Sequence, residues 1–164
     1  MTKNFYLVEH PLIKRDVTIL RDKNTDSETF RSALQRVSNL LAAETSKEFS
    51  LTKIDVETPL EKTEGSKLTN EVILVPVLRA GLGMVNGFLQ IIPEAKVGHI
   101  GLQRDEETLK PIEYYYKVPK NLEFAEVVML DPMLATGGSA SEALKYLKKR
   151  GAKNLVFACL VAAP

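Results

Sequence analysis

The chain has 164 residues, 45% hydrophobic and 26% charged, with 22 Lys plus Arg against 21 Asp plus Glu. That describes one ordinary globular domain whose core closes without disulfides or structural metal, in keeping with a single cysteine, Cys159. A net charge of +1 provides no global field to gather nucleic acid or anionic lipid, so any anion site has to be local. No apolar run approaches the ~20 residues of a membrane span, and the start, Met1 to Tyr6, lacks the apolar stretch of a secretory signal. The expectation is a cytoplasmic protein with neither nucleic acid nor membrane as a partner.

Phe30, Ala33, Leu34, Val37, Leu40 and Leu41 recur at helical spacing, with Arg31, Gln35, Arg36 and Asn39 elsewhere. Thr25 followed by Glu28 has the form of a capping box, so a helix is predicted from Asp26 to Glu48. Its apolar face suits either the core or a second subunit. Ile54 to Thr58 reads as a strand ended by Pro59, and the polar stretch Glu61 to Asn70 as a loop. Glu71 to Val77 is a β-branched run without alternation, the mark of a strand buried on both faces. A helix from Leu82 to Ile91 follows, then strands over Ala95 to Leu102 and Ala125 to Leu130, a helix over Ser139 to Arg150 and a strand over Asn154 to Val161. Strand, helix, strand in repetition predicts an α/β fold with a central parallel sheet flanked by helices. One connection departs from that rhythm. Between Leu102 and Leu130 the chain runs through Gln103 to Pro119, charged in its first half and aromatic in its second, which suggests a hairpin or arm leaving the sheet.

The chemistry concentrates in Val127-Val128-Met129-Leu130-Asp131-Pro132-Met133-Leu134-Ala135-Thr136-Gly137-Gly138-Ser139. A hydrophobic strand delivers one carboxylate at its carboxyl end, and a Thr-Gly-Gly-Ser turn then opens a helix. Consecutive glycines let the backbone N–H groups curl inward, Thr136 and Ser139 add hydroxyl donors, and the helix N-terminus adds positive potential. The result is a nest for a phosphate monoester, with Asp131 placed to accept hydrogen bonds from the vicinal hydroxyls of an attached ribose.

This segment resembles the phosphoribosyl pyrophosphate (PRPP) loop of type I phosphoribosyltransferases. With Pro132 where most relatives carry a second acidic residue, it is similar to the uracil phosphoribosyltransferase version. His10-Pro11-Leu12, Val75 to Met84 and Val97 to Thr108 resemble the same family, so the likeness spans essentially the whole chain. It implies a single domain over 1–164 with the type I fold and a protruding β-arm. It further implies transfer of the phosphoribosyl group of PRPP to uracil, giving UMP and pyrophosphate in pyrimidine salvage. PRPP would be held by Asp131, Pro132, Met133, Leu134, Ala135, Thr136, Gly137, Gly138 and Ser139. Arg79 would hold the pyrophosphate, with Arg104 at the base of the arm as a second contact. Magnesium would travel mainly on PRPP, with no metal ligands from the protein, and the displacement needs no protein nucleophile, so no catalytic residue is assigned. A GTP effector is implied as in some relatives, and a homo-oligomer, at least a dimer, is expected from the apolar surface of the amino-terminal helix and the tyrosine arm. In the family a Pro- and Gly-rich segment closes over uracil after the last strand; this sequence stops at Pro164, so a fragment or an inactive product that holds uracil weakly is expected.

Rival readings follow from the same residues. Gly81 to Gly87 superficially suggests a dinucleotide loop, but the third glycine is one residue late and no acidic residue ends the next strand. The Thr-Gly-Gly-Ser turn lacks the lysine of a Walker A loop. His10 and His99 read as structural, Cys159 as an inert core thiol, and Lys145, Lys148, Lys149, Arg150 and Lys153 as a solvated face at a helix C-terminus. Tyr114, Tyr115 and Tyr116 would either stack a base or pack an arm. A regulator on the same fold, sensing nucleotides and binding RNA, is the other class, against which the near-neutral charge counts.

Overall fold

The computed structural model describes residues 5–104 and 111–163. Helix α1 (Pro11–Arg21) opens with Pro11 at its first turn and His10 as its cap, the imidazole Nδ1 accepting from the Leu12 amide at 3.2 Å. Its apolar pattern is too thin to predict the element, because only Ile13 and Asp16 are buried and one of those is charged. Helix α2 (Ser27–Thr45) is capped by Asp26 rather than Thr25: the carboxylate accepts from the amides of Glu28 and Thr29 at 2.8 and 2.9 Å. Thr25 instead donates its hydroxyl to Ile19 O at 2.7 Å and closes the turn between the helices. The predicted last turn tightens into a 3-10 helix over Ser46–Glu48.

The stretch expected to be a loop is a strand. β1 (Leu51–Glu57) pairs antiparallel with β2 (Lys62–Leu68) in a ribbon separate from the main sheet. Most of its residues face solvent on both sides, so selection leaves no alternating apolar pattern to read. Thr58 organises the tip, accepting from the Glu61 amide at 3.0 Å and donating to Glu61 O at 2.8 Å.

The remaining elements are β3 (Glu71–Leu78), α3 (Leu82–Ile91), β4 (Lys96–Val97), β5 (His99–Arg104), β6 (Pro111–Lys117), β7 (Ala125–Leu130), β8 (Met133–Leu134), α4 (Gly138–Lys149), β9 (Asn154–Ala158) and β10 (Val161–Ala162). The main sheet runs β6-β5-β3-β7-β9, parallel except for β6, with β4 also paired to β3. The strand expected over Ala95 to Leu102 is interrupted at Gly98, whose amide donates to Leu74 O at 2.8 Å. The aromatic half of the expected hairpin, Pro111–Lys117, pairs antiparallel with β5 at the edge of the sheet, and β5 pairs with β3 at Ile100 and Gly101. Residues 105–110, the rest of that arm, lie outside the described residues, and the β1–β2 ribbon is a second hairpin, separate from the main sheet. The last predicted strand ends at Ala158, and a separate short pairing joins β10 to β8.

Period-two alternation on β3 divides the core. Val72 and Leu74 face a cluster with Ile13, Val37, Leu41, Met84 and Phe88 of α1, α2 and α3. Ile73, Val75 and Val77 face the opposite cluster, where Ala140, Ala143 and Leu147 of α4 pack. The apolar face of α2 therefore covers the core: Ala33, Val37, Leu41 and Ala42 are buried, while Phe30 remains exposed.

Candidate active site

Parallel β3, β7 and β9 end on the same edge of the sheet, the edge where α/β folds hold ligands. Asp131 follows β7 directly. Its amide donates to Ala158 O at 3.2 Å, so the residue is tied to the end of β9, and the half-buried carboxylate accepts from the Met133 amide at 3.4 Å. Burial pushes this carboxyl above the ordinary range, and the Met133 N–H opposes the shift.

Beyond Asp131 the chain wraps a cavity of about 120 Å³ lined by Asp131 and by Met133 through Ala140. Pro132 forms its hinge: the carbonyl accepts from the amides of Leu160 and Val161 at 3.1 and 3.2 Å, and the Ala163 amide donates to Leu134 O at 2.8 Å. These bonds to the segment after β9 are invisible in the sequence, because they join residues almost 30 positions apart through backbone atoms alone. Gly137 then turns the chain with φ +77°, a left-handed conformation that glycine adopts without a Cβ clash, and caps α4 with no side-chain hydrogen bond. The first helical bond is donated by Ser141 N to Gly137 O at 2.8 Å, so the amides of Gly138, Ser139 and Ala140 precede the bonded ladder. Ala135, Thr136 and Gly138 are exposed and Ser139 is half-buried, which gives a mouth with amide and hydroxyl donors and a single carboxylate at one side.

Arg79 stands in the turn after β3 and is exposed, as is Ala80; the Leu78–Arg79 peptide is cis. Gly81 seats this turn. A Cβ there would overlap the Leu130 carbonyl oxygen and lie 2.7 and 2.8 Å from Val77 N and O. The Arg79 turn is thus held against the last residue of β7, one position before Asp131, which brings two segments distant in sequence to one edge. Arg104 ends β5, the strand that neighbours β3 on its other side; its side chain lies outside the described residues.

Three other expectations meet the structure here. Cys159 lies in the turn after β9 rather than inside the strand and is half-buried; burial together with the Asp131 charge pushes its thiol up, which agrees with an inert thiol. The strand pattern concealed it, because the apolar run continues past the residue where pairing stops. His10 is structural, as its capping bond shows. Of the tyrosines, Tyr114 lies with its ring across Gly101 and Tyr116 is half-buried, so both pack on their own sheet.

A larger cavity of about 190 Å³ lies between α1 and α2, lined by Leu12, Arg15, Asp16, Arg36, Asn39 and Leu40. Both of its guanidinium groups are engaged by the fully buried Asp16 at 2.9 to 3.1 Å, so its charged groups satisfy one another. The strand-end cavity offers the converging donors that this one lacks. Among the described residues no three His, Cys, Asp or Glu side chains gather as metal ligands, and no helix is long and apolar enough to cross a membrane. With one carboxylate at the mouth, a divalent cation there fits as a companion of a bound ligand that supplies most of its oxygens.

The fold is that of a phosphoribosyltransferase. A hypoxanthine-guanine phosphoribosyltransferase (hpt-2) from Bacillus anthracis superposes with a TM-score of 0.60 over 82% of this chain and 69% of its own, at 16% identity, a likeness of fold alone. The AQ2163 protein from Aquifex aeolicus superposes with a TM-score of 0.89 at 38% identity, covering 97% of this chain and 76% of that one. A family model described as uracil phosphoribosyltransferase matches residues 7–164. The uracil phosphoribosyltransferase of Anoxybacillus flavithermus is 51% identical over 97% of this chain, which spans 77% of that protein. The chain belongs to the uracil phosphoribosyltransferase family.

Proposed function

We propose that this chain is a glycosyltransferase that moves the phosphoribosyl group of PRPP to uracil, releasing pyrophosphate and forming UMP. The observation that carries the site assignment is the uncapped N-terminus of α4 behind the left-handed Gly137, opening into the cavity beside Asp131. In this reading the 5-phosphate of PRPP lies against the amides of Gly138, Ser139 and Ala140 and the hydroxyls of Thr136 and Ser139, where the helix terminus favours an anion. Pro132, Met133, Leu134 and Ala135 shape the wall. Asp131 accepts from the ribose hydroxyls, a stronger bond for the carboxylate than for a neutral acceptor.

Arg79 and Arg104 take the pyrophosphate end, one from the turn after β3 and one from the end of β5. In the reaction a C–N bond forms between a uracil ring nitrogen and the anomeric carbon, the anomeric C–O bond breaks with its electron pair leaving on pyrophosphate, and the ring N–H proton passes to solvent or to the departing pyrophosphate. Charge grows on the leaving group and on an oxocarbenium-like ribose. The protein contributes orientation and electrostatic stabilisation and no nucleophile. Magnesium carried on PRPP supplies charge neutralisation at the pyrophosphate oxygens.

UMP formation from labelled uracil, PRPP and magnesium tests the activity, and calorimetric titration with PRPP–magnesium tests the site. Absence of both product and binding heat in folded protein would overturn the reading. Arg79→Ala is expected to weaken PRPP while sparing ribose 5-phosphate; equal losses for both ligands would remove Arg79 from the pyrophosphate end. A GTP effector and a cytoplasmic location complete the family-based reading, the former tested by the rate of UMP formation with and without GTP. RNA retention on a filter at moderate salt would instead favour the regulator.

A further inference from the structure

We propose that Arg150 is a positioning residue for the PRPP site, acting through α4 from its far end. The inference rests on the phosphate-binding reading of the α4 N-terminus. That helix has 12 residues, so about 18 Å separate its two ends. Its N-terminus has no side-chain cap to fix it, and its fully buried positions are Ala140, Ala143 and Leu147, with the partly buried Leu144 and Tyr146 packed against the same cluster toward its C-terminal half. The half that leads to the cavity is thus seated through alanines, which bury little area and interlock weakly, so its placement follows how firmly the C-terminal half is held.

Arg150 adds to that hold. As the C-terminal cap it donates its amide to the carbonyls of Tyr146 and Leu147, both at 3.1 Å, which welds its backbone to the last turn. Its guanidinium reaches across to β6: Nη2 donates to Glu113 Oε1 at 2.9 Å, and the group stacks 3.9 Å from the centroid of the Tyr116 ring. The ring centroid of Tyr146 of α4 lies 5.3 Å from the same guanidinium. Glu113 and Tyr116 are three residues apart on a strand and would ordinarily face opposite sides of the sheet. The register slips between Gly101 and Leu102, so that Gly101 opposes Tyr115 while Leu102 opposes Glu113. That bulge places one extra residue, Tyr114, between them and turns Glu113 and Tyr116 toward the same helix. The irregularity in β6 therefore has a physical consequence: it builds a socket for one guanidinium, on the strand that pairs with the one ending at Arg104.

A planar cation bonded edge-on to a carboxylate and face-on to a ring fixes direction as well as distance, which an ammonium does not. With the α4 C-terminus held in that socket, the Gly138 to Ala140 amides are held relative to Asp131 and the β3 turn. Loss of the socket is expected to misplace the amides, and small misplacements in a positioned site cost large factors.

The experiment is calorimetric titration of folded wild type and variants with ribose 5-phosphate and with PRPP–magnesium, well below each melting temperature. Arg150→Ala is expected to weaken both ligands on the order of 10-fold at unchanged stoichiometry, since both share the 5-phosphate. Arg150→Lys keeps the charge for Glu113 without the stack and is expected to fall between; it also serves if the alanine variant does not fold. Lys145→Ala, an exposed residue of the same helix paired with Glu142, is the control expected to bind as wild type. A merely structural role would lower the stoichiometry, as folded protein is lost, while leaving the affinity of the folded fraction native. Native affinity in both Arg150 variants, beside a weakened Asp131→Asn, would overturn this inference and leave the site reading standing. No binding of either ligand by wild type would overturn both.

Discussion

Asp131 shows the tension between stability and function in a single carboxylate. Its folded pKa is raised by burial, so the ionised form opposes folding: the favourable contribution exists below the ordinary carboxylate range and is lost as pH rises through the raised value. Asp131→Asn is therefore expected to melt no lower than wild type at neutral pH, with the difference narrowing in acid, while PRPP binding weakens by about 1–3 kcal/mol. Thermal melts across pH beside calorimetry check both halves; native affinity in a folded variant would remove Asp131 from the site. Asp16 has the opposite sign. Hydrogen bonds from Arg36, and then Arg15, hold its carboxyl below the ordinary range against the cost of burial. Its contribution is present above that range and lost as pH falls through the depressed value. Asp16→Asn should lower the melting temperature at neutral pH, and the gap to wild type should close on acidification. A gap independent of pH would show that packing, not charge, carries the effect.

Among the elements, α4 carries both ends of the functional argument, and its first residue is set by backbone geometry. Gly137→Ala puts a Cβ at φ +77°, at a cost of about 1–2 kcal/mol, and should also weaken ribose 5-phosphate binding as the turn relaxes. Denaturant melts with ligand titration check this; unchanged affinity would mean the amides are presented without the left-handed turn. The elements most legible in the sequence are the buried ones: α3 over Leu82–Ile91 and β7 over Ala125–Leu130 follow directly from their apolar runs. In the exposed ribbon β1 was legible in part, as the strand over Ile54 to Thr58, whereas β2 was not, since a polar strand without a buried face has no period to display. Helix α1 was hidden for a related reason, its buried Asp16 standing where a hydrophobic pattern calls for an apolar residue. The phosphate loop was legible by its residue types, whereas β8 and β10 pair over only two residues each.

For the whole molecule, Gly81 couples the two halves of the site. Gly81→Ala would press a Cβ into the Leu130 carbonyl and the Val77 backbone, neither of which can turn aside as a side chain does. It should lower stability and PRPP affinity together; native stability by thermal melting would show that the two loops meet more loosely. The exposed apolar surface also bears on assembly. Since α2 spends most of its apolar face on the core, two groups stand out among the large exposed residues: Phe5, Tyr6, Leu7 and Leu12 before and within α1, and Ile112, Tyr114 and Tyr115 on β6. Aromatic and aliphatic surface of this kind favours interfaces between protein copies. Sedimentation at micromolar concentration is expected to give at least a dimer, and a monomeric mass would refute it.

The α/β class, the buried strands and the donor chemistry of Asp131 to Ser139 can be read from the residues alone, because they depend on local periodicity and on residue types in one short stretch. Only the tertiary structure decided that Gly81 seats Arg79 beside the end of β7, that Pro132 is hinged on the segment after β9, and that Cys159 lies next to Asp131. It likewise decided that a bulge in β6 turns Glu113 and Tyr116 onto Arg150. Each of these is a contact between segments remote in the chain. Its geometry is set by sheet order and strand register, which no local pattern encodes.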